Sequence, residues 1–210
     1  MSENITIRLR GKTIVLTDEM RAAVLAEMPE IAWIENEDLR TKVLNAWAGA
    51  LASSSLTRIG DLRPSGTYDS APLRRGTQAD HIRSVARLAV KMADELKQTF
   101  PDLAFDRDIL IAGALCHDIG KVWELDPANL ERWQSDPAKV GLPSIRHPGF
   151  GVHICLTVDL PEGVAHIAGA HSAEGELLSS RSIEGTIVRW ADHSFWLILE
   201  KGKQLAEAES

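Results

Sequence analysis

The chain predicts an all-α fold, one mostly helical domain carrying a small N-terminal extension. Three observations predict it. From Thr77 onward Ile82, Val85, Ala86, Ala89, Met92, Ala93 and Leu96 form one apolar stripe, while Arg83, Arg87, Lys91 and Asp94 fall on another face. Ile109 to Cys116 is apolar all round, as a central helix enclosed by others must be. A short stretch from Ile5 to Thr17 instead alternates apolar and polar residues, the period of a strand.

In chain order, Ile5 to Thr17 reads as a hairpin broken at Gly11-Lys12. Thr17 or Asp18 can cap a helix running to about Glu27, and Leu39, Val43, Leu44, Trp47 and Leu51 mark a second helix from Glu37 to Leu51. Ser53 to Arg75, rich in Ser, Gly, Pro and Arg, is an irregular connection. The helix beginning near Thr77 places His81 at the edge of its buried side, four residues before Val85. Asp106 caps the helix that contains Ile109 to Cys116, and Gly120 is expected to end it. Later helices are expected at about Pro148 to Val158, Glu162 to His171 and Ser182 to Glu200. The resulting division is 1–76 as an extension packing on the core, 77–200 as the helical domain and 201–210 as a tail.

Length and composition narrow the function. The 210 residues, 44% apolar and 25% charged, suffice for one buried core and exclude a disordered or fibrous chain. Two cysteines, Cys116 and Cys155, cannot build a disulfide framework, and no basic-then-apolar segment opens the chain, so a reducing, cytoplasmic compartment is expected. No run reaches the roughly 18 apolar residues of a membrane span. The formal charge of −7 argues against polymeric nucleic acid as a partner and for a small-molecule substrate. The six tryptophans read as core anchors, with Trp190 or Trp196 beside Asp192 as an alternative pocket wall.

The seven histidines are the informative residues. The buried helix runs into His117-Asp118, two adjacent metal-capable side chains; taken alone they read equally well as a hydrogen-bonded core histidine and a terminal polar residue. His81, His147, His171 and Asp192 are the further candidates, Asp192 because a carboxylate after an apolar helical run needs a partner if it faces the core. Imidazole and carboxylate together suit Fe, Mn, Co, Ni or Zn rather than Ca. Helices that each bring one or two ligands inward are how bundles build such centres. His153, His166 and His193 read as structural or surface residues, and Cys116 as core.

His81, then His117-Asp118 in the string His117-Asp118-Ile119-Gly120-Lys121, then His147, His171 and Asp192 resemble the ordered H…HD…H…H…D pattern of the HD-domain metal-dependent phosphohydrolase superfamily. The resemblance covers about Thr77 to Leu199 and implies a helical bundle around a metal centre. It implies that His81, His117, Asp118 and Asp192 hold a first divalent transition metal, with Asp118 bridging to a second completed by His147 and His171. Members with one metal need only the first four residues, so His147 and His171 are what argue for two. Superfamily members that cleave cyclic di-GMP carry paired histidines and a Gly-Tyr-Pro signature; the corresponding stretch here, His171-Ser172-Ala173-Glu174-Gly175-Glu176, departs from it. The first 76 residues lie outside the resemblance and are expected to shape the pocket or a homo-oligomer contact.

The expected activity is hydrolysis of a small phosphorylated molecule by a metal-activated water, with Asp118, Lys121 and Arg146 as the catalytic candidates. Lys121 reads either as a phosphate-binding cation or as a solvated lysine, and Arg146 as a guanidinium fork. Arg74 and Arg75 are a weaker basic pair, and Glu174 a candidate orienting group or general acid. The resemblance leaves one other reaction class open, since diiron oxygenases of the superfamily share the six ligands. A non-catalytic binding domain is disfavoured because all six positions are filled.

Overall fold

A computed structural model describes residues 4–206 of the chain; of the expected tail, residues 207–210 lie outside the described part. Strands β1 (Ile5–Leu9) and β2 (Lys12–Leu16) pair antiparallel, Ile5 opposite Leu16 and Leu9 opposite Lys12. This register puts Ile7, Leu9, Ile14 and Leu16 on the core face. The turn is Arg10-Gly11 rather than Gly11-Lys12, with φ of +56° and +74°. Two left-handed residues give the turn whose twist matches the flanking strands. Arg10 holds its place by donating to the Ser53 carbonyl at 2.7 Å and lying 3.4 Å over the Trp123 ring.

Helices α1 (Asp18–Glu27) and α2 (Glu37–Ala52) follow, their first turns closed by the side chains of Thr17 and Asn36. Trp47 of α2 is fully buried, and its indole N–H donates to the Leu115 carbonyl at 3.0 Å. That contact joins α2 to α4 (Arg107–Cys116), the expected central helix, which packs against α2, α3 (Gln78–Thr99), α9 (Glu162–Ala170) and α10 (Ile183–Lys201). Helix α3 starts in a capping box of Thr77 and Asp80, and α4 starts at the Asp106 cap. One continuous apolar core runs from Ile7 of the hairpin to Ala191 of α10.

Between α4 and α8 (His147–Thr157) the chain forms three short helices, α5 (Lys121–Glu124), α6 (Pro127–Ser135) and α7 (Pro137–Val140). Gly120 therefore does not end α4, which stops at Cys116; it precedes α5 in right-handed helical geometry, at φ −68°. The reason for a glycine there is space, because the start of α8 lies directly against it. Residues 204–206 lie beside the long connection, where the Arg74 N–H donates to the Gln204 carbonyl and the Ala206 N–H to that of Pro72, both at 2.8 Å. Trp33 and Trp190 are about half exposed, so only part of the tryptophan set anchors the core: Trp47, Trp123 and Trp133 do. Among the described residues no helix is long and apolar enough to cross a membrane.

Candidate metal centre

Five segments converge on one buried point. Helix α3 brings His81, the turn after α4 brings His117 and Asp118, the first residue of α8 is His147, the residue closing α9 is His171, and α10 brings Asp192. All six are buried. The Asp118 carboxylate divides them. Its Oδ2 lies 3.2 Å from His81 Nε2 and 3.6 Å from His117 Nε2, while Asp192 Oδ1 stands 3.4 Å from His81 Nε2 and 3.9 Å from His117 Nε2. Its Oδ1 lies 3.4 Å from His147 Nε2 and 3.5 Å from His171 Nε2.

The hydrogen bonds behind the rings decide what these atoms can do. His117 Nδ1 meets the Ala114 carbonyl at 2.7 Å and His171 Nδ1 the Ala168 carbonyl at 3.0 Å. A carbonyl only accepts, so Nδ1 carries the proton and each Nε2 presents a lone pair to the centre. His147 Nδ1 likewise donates to Glu124 Oε2 at 2.9 Å. His147 Nε2 and His171 Nε2 then stand 3.3 Å apart with lone pairs converging, a repulsive arrangement unless a cation lies between them. His81 and His117 approach through the same atoms at 3.3 Å, and Asp192 Oδ1 is buried with no hydrogen-bond partner among the described residues. Ligand bonds of about 2.0–2.2 Å place neighbouring ligand atoms about 3.0–3.5 Å apart, close to these separations. The residues fit divalent transition cations.

The electrostatics agree with ligand duty. Burial pushes His117 down to about 4 and lowers His147 as well, so both rings are neutral near pH 7. Burial works against the charge of Asp118, but Lys121, at 3.0 Å from Oδ2, together with His117 holds it well below the usual carboxylate range. This sets a pH dependence for the chelated protein. Between pH 4 and the unfolded histidine value of about 6.5 the unfolded chain binds a proton that folded His117 refuses, so stability rises with pH through that window. Lowering the pH from about 7 to about 5 is expected to remove roughly 2 kcal/mol through His117 alone, measured by urea unfolding in the presence of a chelator. Unchanged or greater stability at the lower pH would show that His117 is not held neutral.

Of the catalytic candidates, Lys121 is at the centre and Arg146 is turned away from it. Lys121 is buried, donates to the Ser65 carbonyl as well as to Asp118, and lies 5.8 Å from the Trp196 ring. Trp196 and Phe195 stand against the His81 ring, at centroid distances of 5.1 and 4.7 Å. The Arg146 guanidinium pairs with Glu124 and, at 2.9 Å, with Glu174. Partial burial works against the charge of Glu174, but hydrogen bonds from its own backbone and from Arg146 bring that carboxyl down to about 2, so it is ionised and unsuited to donate a proton. Arg74 is occupied with the chain end, donating from Nε to the Leu205 carbonyl at 2.9 Å.

Three residues at the centre escape sequence reasoning. Gln78, fully buried, donates to Asp118 Oδ2 at 2.7 Å; lying three residues before His81 on the same face, it was detectable from helical spacing. Glu124 and the Ser65 carbonyl are brought in by tertiary contacts with no local signal. The unassigned histidines lie elsewhere: His166 Nε2 accepts from the Ser182 N–H at 3.1 Å at the start of α10, His193 packs on Trp190, and His153 is exposed. Cys116 is buried beside Cys155, and that contact together with burial raises its thiol well above its ordinary value.

Comparison with known proteins points the same way. The dihydroneopterin 2',3'-cyclic phosphate phosphodiesterase of Methanocaldococcus jannaschii is 28% identical over 185 residues, spanning 84% of this chain and 70% of that protein. No solved structure matches the chain. A family model described as HD domain matches residues 79–195, the stretch that carries all six candidate ligands from His81 to Asp192. The chain belongs to the HD domain family of metal-dependent phosphohydrolases.

Proposed function

We propose that this protein hydrolyses a small phosphodiester, cyclic phosphate esters included, using two divalent transition cations. The observation that carries the reading is the division of Asp118: one oxygen faces His81 and His117 beside Asp192, the other faces His147 and His171. His81, His117, Asp118 and Asp192 would hold one cation, and Asp118, His147 and His171 the other. Bound in such a pair, divalent ions acidify water and polarise a phosphoryl oxygen.

The chain's own residues do the rest. Lys121 has three N–H donors, of which the Asp118 carboxylate and the Ser65 carbonyl take two. The third is left for a phosphoryl oxygen, and burial strengthens that contact by excluding water. Gln78 and Lys121 both donate to Oδ2 and orient the carboxylate between the two groups of ligands. Phe195 and Trp196 hold the His81 ring by packing, since its Nδ1 has no hydrogen-bond partner among the described residues. Arg146 acts on Glu124 and Glu174 rather than on a phosphate. The similarity to a cyclic phosphate phosphodiesterase supports this choice of substrate class.

The test is turnover by chelator-stripped protein reloaded with Mn, Fe, Co, Ni or Zn and offered nucleoside 2',3'-cyclic phosphates, linear phosphodiesters and phosphomonoesters. Hydrolysis is expected to proceed equally with and without oxygen. No turnover with any cation overturns the reading. A product formed only in the presence of oxygen, by the iron-loaded protein, replaces it with oxygenase chemistry.

A further inference from the structure

We propose that Glu124 is the positioning residue that lets the His147 half of the centre take its cation, and so sets how many ions the protein binds. The inference rests on the two-cation reading.

Glu124 ends the short helix α5 and is buried. Its Oε2 accepts from both the backbone N–H and the Nδ1–H of His147, the latter at 2.9 Å, while Oε1 accepts from Arg146. Two donors of one residue on one oxygen fix both the position of the His147 backbone and the rotation of its ring, leaving Nε2 aimed at Asp118 Oδ1. Arg146 extends the tie to Glu174, in the stretch that follows His171. Among the described residues the remaining candidate ligand histidines lack such a partner: His117 and His171 rest on neutral carbonyls, and His81 Nδ1 has no partner.

The charge count explains why the device is on this half. His81 and His117 face two carboxylates, those of Asp118 and Asp192. His147 and His171 stand closest to the second oxygen of Asp118, at 3.4 and 3.5 Å, with Asp192 farther off, within 4.8 Å of His171, so this half has three close ligand atoms and a shared charge. A carboxylate behind an imidazole raises its basicity as a ligand, and loss of such a partner commonly weakens metal affinity about 10- to 100-fold. Glu124 places behind His147 the negative charge that the half lacks in front. Its other role, accepting from the first N–H of α8, is structural, and the experiment must separate the two.

The chelator-stripped protein is titrated with Mn²⁺, the free ion being counted by electron paramagnetic resonance. The wild type is expected to bind two ions per chain. In E124Q one site should keep its affinity and the other weaken by about 10- to 100-fold. In an H147A background, where the weak site has already lost its ligand, adding E124Q should change Mn²⁺ binding no further. Equal weakening of both sites, unaltered binding in E124Q, or an added loss in the H147A background overturns the assignment. If the wild type itself binds one ion, the two-cation reading falls and this assignment with it. Should E124Q not fold, E124D keeps the charge one methylene further back and must weaken the same single site; if it weakens both or neither, the assignment fails.

Discussion

Replacing Asp118 by asparagine is expected to abolish measurable Mn²⁺ binding at both halves of the centre and to lower turnover by about 1,000-fold or more, since a metal clamp supplies several kcal/mol at the transition state. The geometry makes the prediction sharp. Among the described residues Asp118 is the one carboxylate whose two oxygens face different histidine pairs, and an amide offers a single neutral oxygen in their place. Its N–H groups would point toward one half and repel a cation there. The same substitution affects the metal-free protein, because Lys121 is buried and forms its ion pair with Asp118. Removing one partner of a buried pair costs about 3–5 kcal/mol, more than the pair is worth against an apolar replacement. D118N is therefore expected to be unstable as well as inactive, and D118N/K121M to regain most of the stability while staying inactive. Urea unfolding and Mn²⁺ titration of the three proteins check this. D118N retaining both ions, or a tenth of wild-type turnover, would remove Asp118 from the bridging position.

What was legible in the sequence follows from where the determining forces act. Helices α3 and α4 were legible because burial imposes a period on α3 and excludes polar side chains from α4, and both effects are written residue by residue. The candidate ligand residues were legible as types in order, since imidazoles and carboxylates on apolar helices need a use. Three other features follow different rules. Helices α6 and α7 are too short for a stripe, yet Asp126-Pro127 and Asp136-Pro137 each carry a capping aspartate followed by proline in the first turn, a signal that composition alone obscures. Arg146 adjoins His147 in the chain but lies in extended backbone just before α8, and its side chain leaves in another direction, toward Glu124. Glu124 itself meets His147 across 23 residues of chain, a distance no local pattern encodes.

Gly120 shows the same limit from the side of stability, and G120A is expected to have the largest effect of any small substitution considered for the backbone. On local grounds alanine should help. Gly120 has φ −68° and ψ −13°, which any residue adopts, and replacing glycine in such a conformation typically stabilises by about 0.4–1 kcal/mol through the unfolded state. The tertiary term has the opposite sign and is larger. A Cβ on Gly120 would stand 1.8 Å from the His147 carbonyl oxygen, 2.6 Å from its carbon and 2.9 Å from the Gly151 nitrogen. All three are backbone atoms, so no side chain can rotate away, and the start of α8 must move as a unit. Overpacking that shifts backbone typically costs about 1–3 kcal/mol and occasionally more, and three backbone atoms this close place G120A at the upper end. Because His147 opens α8, the movement also draws its ring from Asp118 and Glu124, so G120A should lose the weaker Mn²⁺ site along with its stability. Gly149, on the same helix, supplies the control: its added Cβ meets only Ile145 Cγ2, at 3.4 Å, an ordinary contact. G149A is expected to be neutral or stabilising by roughly 0.5–1 kcal/mol, with both ions bound. If thermal unfolding and Mn²⁺ titration find G120A as stable as G149A, α8 does not press on the turn that carries His117 and Asp118, and the close approach drawn here is wrong.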